Sequence, residues 1–276
     1  MADGAMNVGI VFLTGLVVVL LGSVVESVVK SGYTAMSRQF LFYNDTYISP
    51  STSLEYGGVG HAILGSAVIV GLATLASVPF GLAVAVYLTE TRSRTRNIVR
   101  FLSQSMSGLP SVVSGLFVYS MFIVTNVSRP SGLLGSVALL ILMLPTVVRT
   151  AEEVLKLVPG DLRSAALALG STRVRVFFRV TLPVARTGLI TAVLLGVARI
   201  VGETAPLLLT SGLSQATNVN PVSGSMSTLT SYAYSYFAAG YDTSRARAWG
   251  SALVLLLLVG IIFASARLLG SRKAVK

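Results

Sequence analysis

Six apolar runs divide the chain, and a helix that crosses a bilayer takes about 20 such residues. The first run, 9–29, carries Glu26 near its far end. The second, 61–88, contains Pro79, a place where neighbouring helices can offset the lost backbone hydrogen bond. A third segment opens with the polar stretch 103–107, passes through Gly108, Leu109 and Pro110, and is then apolar to 127; the proline suits a helix start. The fourth, 133–148, carries Pro145 and stops at Arg149, the fifth is 185–209, and the sixth, 249–269, has Arg267 near its end. Two large polar loops, 33–60 and 211–247, alternate with basic stretches, and 40–43 reads as a short amphipathic piece. The pattern predicts an all-α membrane protein of six transmembrane helices, with one membrane domain over 1–276 and no separate soluble domain.

Composition agrees. A mean hydropathy of +0.79, with 53% hydrophobic and 11% charged residues, is too apolar for a soluble core of this size. Cysteine is absent, which excludes a disulfide framework, a thiolate nucleophile and cysteine-held zinc or iron–sulfur groups. No lysine or arginine precedes the first apolar run, so that run reads as a permanent span and not a cleaved signal.

A net charge of +11 would fit nucleic acid, were the charge not sorted by the spans. One side collects fifteen of the 21 lysines and arginines: those of 92–100, those of 149–186, and those of 267–276. The other holds Lys30, Arg38, Arg129, Arg245 and Arg247, and Arg199 lies within a span. The richer side is expected to be cytoplasmic, with both termini inside. Lys30 beside the first span argues the reverse locally; the whole-chain count outweighs it. The charge is a topology signal, and a nucleic-acid role drops out.

Candidate chemistry concentrates in span five, AVLLGVARIVGETAPLLLTSG at 192–212. There Arg199 and Glu203 stand four residues apart, which on a continuous helix is one face. A charge at mid-membrane costs about 2.5 to 3.5 kcal/mol on insertion scales and normally faces a bundle interior, a partner or a water path. The Arg199 guanidinium suits a tetrahedral oxyanion. Glu203 can hold that guanidinium, or accept a hydrogen bond from a protonated oxyanion such as hydrogen phosphate, which fully deprotonated sulfate does not offer. The plainer role for the pair is mutual neutralisation that fixes helix packing. Arg149, at the inner end of span four, is either a second pathway residue or a positive-inside anchor. His61, the single histidine, reads as a headgroup-level polar residue, and Tyr232, Tyr234, Tyr236, Tyr241 and Trp249 as an interfacial aromatic belt. Glu152 and Glu153 fit the acidic first turn of a cytoplasmic helix.

Between spans four and five lies DLRSAALALGSTRVRVFFRVTLP at 161–183, in which Ser164, Ala165 and Ala166 are followed by Gly170 and then by Val180, Leu182 and Pro183. The spacing resembles the EAA loop of ABC-transporter permeases, with Ser164 where that family usually has glutamate. LPTVVRTAEEVLKLVP at 144–159, ARIVGETAPLLLTSG at 198–212 and GLPSVVSGLFVY at 108–119 narrow the resemblance to the permease subunits of bacterial high-affinity phosphate importers, over about 61–269.

The resemblance implies a type I importer permease (MetI-like) fold, in which 150–184 is a cytoplasmic coupling loop that docks on an ATPase through Asp161, Arg163, Ser164, Ala165, Ala166 and Gly170. It also implies a sister permease PstC, two copies of the ATPase PstB and a phosphate-binding protein PstS, with the pathway lined by Arg199, Glu203 and Arg149. The chain has no GxxxxGK[ST] phosphate loop, so ATP and magnesium are expected to be used by the partner ATPase, with no cofactor, no metal and no catalysis in this chain. A permease for sulfate or molybdate is the alternative. A membrane-embedded enzyme finds little support in one histidine, no HExxH and no paired intramembrane aspartates.

Overall fold

Long apolar stretches with internally satisfied backbones become helices, and they do so close to the expected boundaries. The computed structural model describes residues 2–91 and 93–271, and all regular structure there is helical. Arg92 and the basic tail 272–276, both used in the charge count, lie outside the described residues, and Arg267 is described in its backbone only. In chain order the helices are α1 (Ala2–Tyr33), α2 (Arg38–Phe42), α3 (Gly60–Glu90), α4 (Thr95–Ser107), α5 (Ser111–Val118), α6 (Gly132–Lys156), α7 (Gly160–Ala168), α8 (Arg173–Val176), α9 (Leu182–Val201), α10 (Ala205–Thr210), α11 (Leu229–Ala238) and α12 (Asp242–Ser271). A π-helical segment, Tyr119–Val124, prolongs α5, and another, Phe177–Thr181, joins α8 to α9.

Five helices are long and apolar enough to cross a membrane: Gly9–Tyr33, Gly60–Glu90, Gly132–Lys156, Arg173–Val201 and Asp242–Ala264. The expected third span is different. It is a bent pair, Thr95–Ser107 and Ser111–Val124, turned by 102° at Gly108, Leu109 and Pro110. Pro110 is the residue before the first turn of α5, where its missing N–H costs nothing. The basic turn expected over 92–100 is largely the start of α4. Span four also runs past its expected end at Arg149: α6 continues to Lys156, because Ala151, Glu152 and Leu155 still have a covered face to occupy.

The core is built on α3, α6 and α9. Val147 of α6 sits between Gly81 of α3 and Gly196 of α9, and a Cβ at either glycine would lie 2.8 Å from one of its methyl groups. Small residues of this kind let membrane helices approach closely, where dispersion contacts replace the missing water-driven term. Ile69, Ala73, Leu139, Leu142, Met143 and Ile200 fill the middle of the bundle. Ala85, Ala151, Leu155, Ala185 and Leu189 fill the end that carries α7 and α8, and Phe40, Val59, Ala62, Leu229 and Tyr236 the opposite end.

Helix α1 lies outside this core, touching α12 where Gly32 meets the Trp249 carbonyl. Most of its length, including Phe12, Val19, Leu20 and Leu21, is exposed apolar surface that only lipid or another apolar partner can cover. That contact makes α1 antiparallel to α12, so α1 begins and α12 finishes at the α7–α8 end.

Candidate functional site

The stretch between spans four and five folds as a helix, a turn and a helix. Gly170 makes the turn, with φ of +81°, a left-handed conformation that glycine adopts without steric cost. Its N–H donates to the Leu167 carbonyl at 2.9 Å and the Ser171 N–H to the Ala166 carbonyl at 3.2 Å, which satisfies the last carbonyls of α7. Helix α8 then leads through the π-helical segment into α9. Asp161, Ser164, Ala165 and Gly170 are exposed and Ala166 is half-buried. Beside them the loop exposes Leu157, Leu162, Leu169, Val174 and Phe178. An exposed apolar patch of this kind marks a surface that a partner or lipid can cover.

Arg163 departs from its expected place on that surface. Its guanidinium turns inward, with Nη1 on Glu90 Oε1 and Nη2 on the Leu155 carbonyl, each at 2.9 Å. It ties α7 to the ends of α3 and α6.

The expected Arg199–Glu203 face does not exist. Gly202 caps α9 at Val201, the helical turns are interrupted, and α10 starts at Ala205, so Glu203 lies beyond the helix that carries Arg199. Among the described residues no ion pair joins them. Arg199 is exposed on the last turn of α9. Glu203 is half-buried, and its carbonyl accepts the Thr230 hydroxyl at 2.9 Å. Past the break, α10 packs on α5: a Cβ on Gly115 would lie 2.6 Å from the Pro206 Cα. Two interrupted spans therefore meet, and interrupted backbone at membrane depth is tolerated where protein buries it or where it lines a water-filled path.

Arg149 is also exposed, within α6, and pairs with Glu153 at 3.4 Å. Gly196 faces Val147 and Gly188 faces Val154, so α6 and α9 run antiparallel. At 1.5 Å per residue Arg149 and Arg199 are then about one and a half turns, roughly 7.5 Å, apart along the bundle. The two cations lie at different depths and do not form one cluster.

Sequence reading missed two polar clusters. Glu152, expected at a helix start, is in the last turns of α6, nearly buried, and takes Arg100 Nε at 3.1 Å and Lys156 Nζ at 2.7 Å. It binds α4 to α6. At the other end of the bundle Asp45 and Arg247, both 0% exposed, form a buried pair. Asp45 accepts the Gly58 N–H at 2.8 Å, Tyr232 Oη at 2.7 Å and Tyr236 Oη, and Arg247 Nη2 donates to the Ser53 and Tyr56 carbonyls at 2.9 and 2.6 Å. Burial, and then the Asp45 carboxylate, push both phenols above their ordinary range and keep them protonated donors. Tyr232 and Tyr236 are thus structural and no belt, whereas Tyr234 and Tyr241 are exposed.

His61 is buried too, edge-on to the Tyr232 ring at 5.6 Å, and its Nδ1 makes no hydrogen bond. It borders a cavity of about 460 Å³ with Ser214, Gln215, Ser227 and Ser235. Among the described residues no group of three acidic, histidine or cysteine side chains could hold a metal ion.

Comparison with known proteins bears on the whole arrangement. The sequence signature of the family described as "Binding-protein-dependent transport system inner membrane component" matches residues 77–275. "Phosphate transport system permease protein PstA 1" of Mycobacterium tuberculosis is 40% identical over 207 residues, 75% of this chain and 68% of that protein. "Phosphate transport system permease protein PstA" of Mycobacterium leprae is 36% identical, and that of Yersinia pestis 35%, each over 82% of its length and 89% and 90% of this chain. Among solved structures, an inward-facing MetNI methionine ABC transporter chain superposes with a TM-score of 0.58 at 21% identity, covering 75% of this chain and 92% of that one. A second crystal form gives 0.60 at 19%. The fold is that of a MetI-type importer permease.

Proposed function

The chain belongs to the family of binding-protein-dependent transport system inner membrane components, and from that membership we propose that it is the membrane-spanning permease subunit of an ATP-driven inorganic phosphate importer. It is a multi-pass membrane protein of a transport system, and its whole length, 1–276, serves as one permease domain. The phosphate assignment draws on the named relatives. The transport mechanism draws on one observation above the rest: the exposed apolar loop around Gly170, anchored through Arg163 to the spans.

In this reading the α7–α8 end faces the cytoplasm, in accord with its arginines, and both termini lie there. An ATPase of the PstB class docks on Leu162, Ala165, Ala166, Leu169 and Val174, with Asp161 and Ser164 at the rim. It binds and hydrolyses magnesium ATP, and this chain contributes no cofactor. The apolar contact replaces what the usual glutamate supplies elsewhere, since Ser164 carries no charge. Closure of two ATPase copies presses the loop, and the Arg163 and Glu152 ties carry that push into α3, α4 and α6. Reversing a 1:99 population takes about 5.5 kcal/mol of differential binding, which calls for a rigid contact.

A sister permease of the PstC class covers the exposed face of α9, and a phosphate-binding protein of the PstS class delivers from the opposite end. Arg199 is bare on this chain at the break between α9 and α10. A permanent cation there needs a partner subunit or a water path, and a tetrahedral oxyanion moving along that path meets it. Glu203 lies past the same break and is placed to favour an anion that still carries a proton.

Copurification tests the assembly. The tagged chain, extracted mildly from its own cells, is expected to bring down a second permease and an ATPase; isolation as a lone chain that conducts phosphate without ATP would favour a channel instead.

A further inference from the structure

A cavity of about 260 Å³ lies at the root of the coupling loop, where the end of α3, the start of α4, and the α7–α8 turn converge. Thr89, Glu90, Arg96, Arg163, Arg173 and Thr181 line it. Three guanidinium groups around one small space face a single carboxylate among the described lining residues, Glu90, and Arg163 already engages it at 2.9 Å. The Arg163 Nε is buried without a hydrogen-bond partner. Arg96 makes one long bond, to the Thr91 carbonyl at 3.4 Å, and Arg173 makes none among the described residues.

Like charges gathered in a partly enclosed space repel unless an anion joins them, and guanidinium groups pair best with tetrahedral oxyanions. The volume suits one small oxyanion with several waters, each water taking about 30 Å³. The geometry points to a second, cytoplasmic site for a phosphate-class oxyanion, held by Arg96 and Arg173 against the Arg163 anchor and separate from the transport path at Arg199.

Its occupant joins α4 to α8. Helix α8 is the second helix of the loop that receives the ATPase and α4 lies outside it, so an anion here stiffens the transmitter in one arrangement and makes coupling respond to the cytoplasmic level of the ion. Recognition of a tetrahedral oxyanion follows from the three arginines alone; that orthophosphate is the physiological one rests on the phosphate-import function proposed above. The same chemistry is presented by free phosphate and by an anionic lipid headgroup, since α4 exposes the apolar Ile98, Phe101 and Leu102.

The test uses the assembled transporter, without its external binding protein, in nanodiscs. In phosphatidylcholine discs, radiolabelled inorganic phosphate is expected to bind the wild type and the Arg245→Met variant, which loses an exposed arginine at the opposite end of the bundle, alike. Binding is expected to weaken at least tenfold in Arg96→Gln/Arg173→Gln and to recover in part in Arg96→Lys/Arg173→Lys, which also guards against misfolding. In discs containing phosphatidylglycerol, lipid retained through purification is counted by mass spectrometry. Retention that depends on the same two arginines, with no free phosphate bound, assigns the site to the headgroup and sustains it. Binding that survives the double glutamine variant in both arms, or that disappears equally in Arg245→Met, overturns the site. If the assembly instead imports sulfate, the function proposed above fails, and labelled sulfate sensitive to Arg96 and Arg173 still sustains the cavity as an anion site.

Discussion

Arg247 and Asp45 carry the largest local stake in this fold. Both are fully buried and 202 positions apart, and they close the loop 44–58 against α11 and α12. Removing one member of a buried pair strands the other, at a typical cost of about 3–5 kcal/mol. Arg247→Met is therefore expected to lower the thermal midpoint of the purified assembly sharply, while Arg245→Met, whose side chain is exposed beside Asp242, leaves it unchanged. The tyrosines on Asp45 add a pH signature. Their folded pKa values are raised above the unfolded value of about 10, so the stability they contribute is complete below pH 10 and is lost as pH rises beyond it. Thermal midpoints measured from pH 8 to 11 are expected to fall above 10, and to fall less in Tyr236→Phe. In the transport path, Arg199→Ala is expected to abolish uptake while the assembly still copurifies; full uptake by that variant would remove Arg199 from the mechanism.

Among elements, the coupling loop makes the sharpest prediction. Any side chain at Gly170 has open space around it, so a substitution there acts through backbone strain and not through a clash. Left-handed backbone costs a non-glycine residue about 1–2 kcal/mol, more for a β-branched one. Gly170→Val is expected to reduce ATPase copurification, and Gly170→Asn to reduce it less. The loop was legible in the sequence because its small residues and glycine stand at the spacing of the EAA loop that it resembles. The spans were legible for a similar reason: lipid demands unbroken apolar runs. The failures share one cause, which is that linear spacing does not reveal where a helix ends. Gly202 stops α9, so the four-residue interval from Arg199 to Glu203 leaves the two on separate sides of a break. Leu155 and Ala151 extend α6, so Glu152 becomes an interior acid instead of a first-turn one. A helix start at Pro110 was visible as a change from polar to apolar, but the 102° bend was not, and α5 beyond it packs Gly115 against Pro206, 91 positions away. Asp45 and Arg247 gave no linear signal at all.

For the whole molecule, the layout is a bundle with a polar knot at one end, an exposed transmitter at the other, and interrupted spans between them. Absence of cysteine makes its orientation easy to read. A single cysteine at Ser171 is expected to react with an impermeant maleimide only from the cytoplasmic side of sealed vesicles, and one at Val219 only from the outside. In the proposed mechanism energy enters where Gly170 turns and acts where Arg199 lies, so transport is expected to fail whenever the ATPase is silent. The most direct measurement is uptake of radiolabelled phosphate and sulfate by vesicles holding the complete assembly, with ATP supplied on the cytoplasmic side. ATP-dependent phosphate accumulation, little sulfate uptake, and no accumulation with a catalytically dead ATPase are the expected results; preference for sulfate, or phosphate accumulation without ATP hydrolysis, would contradict the account.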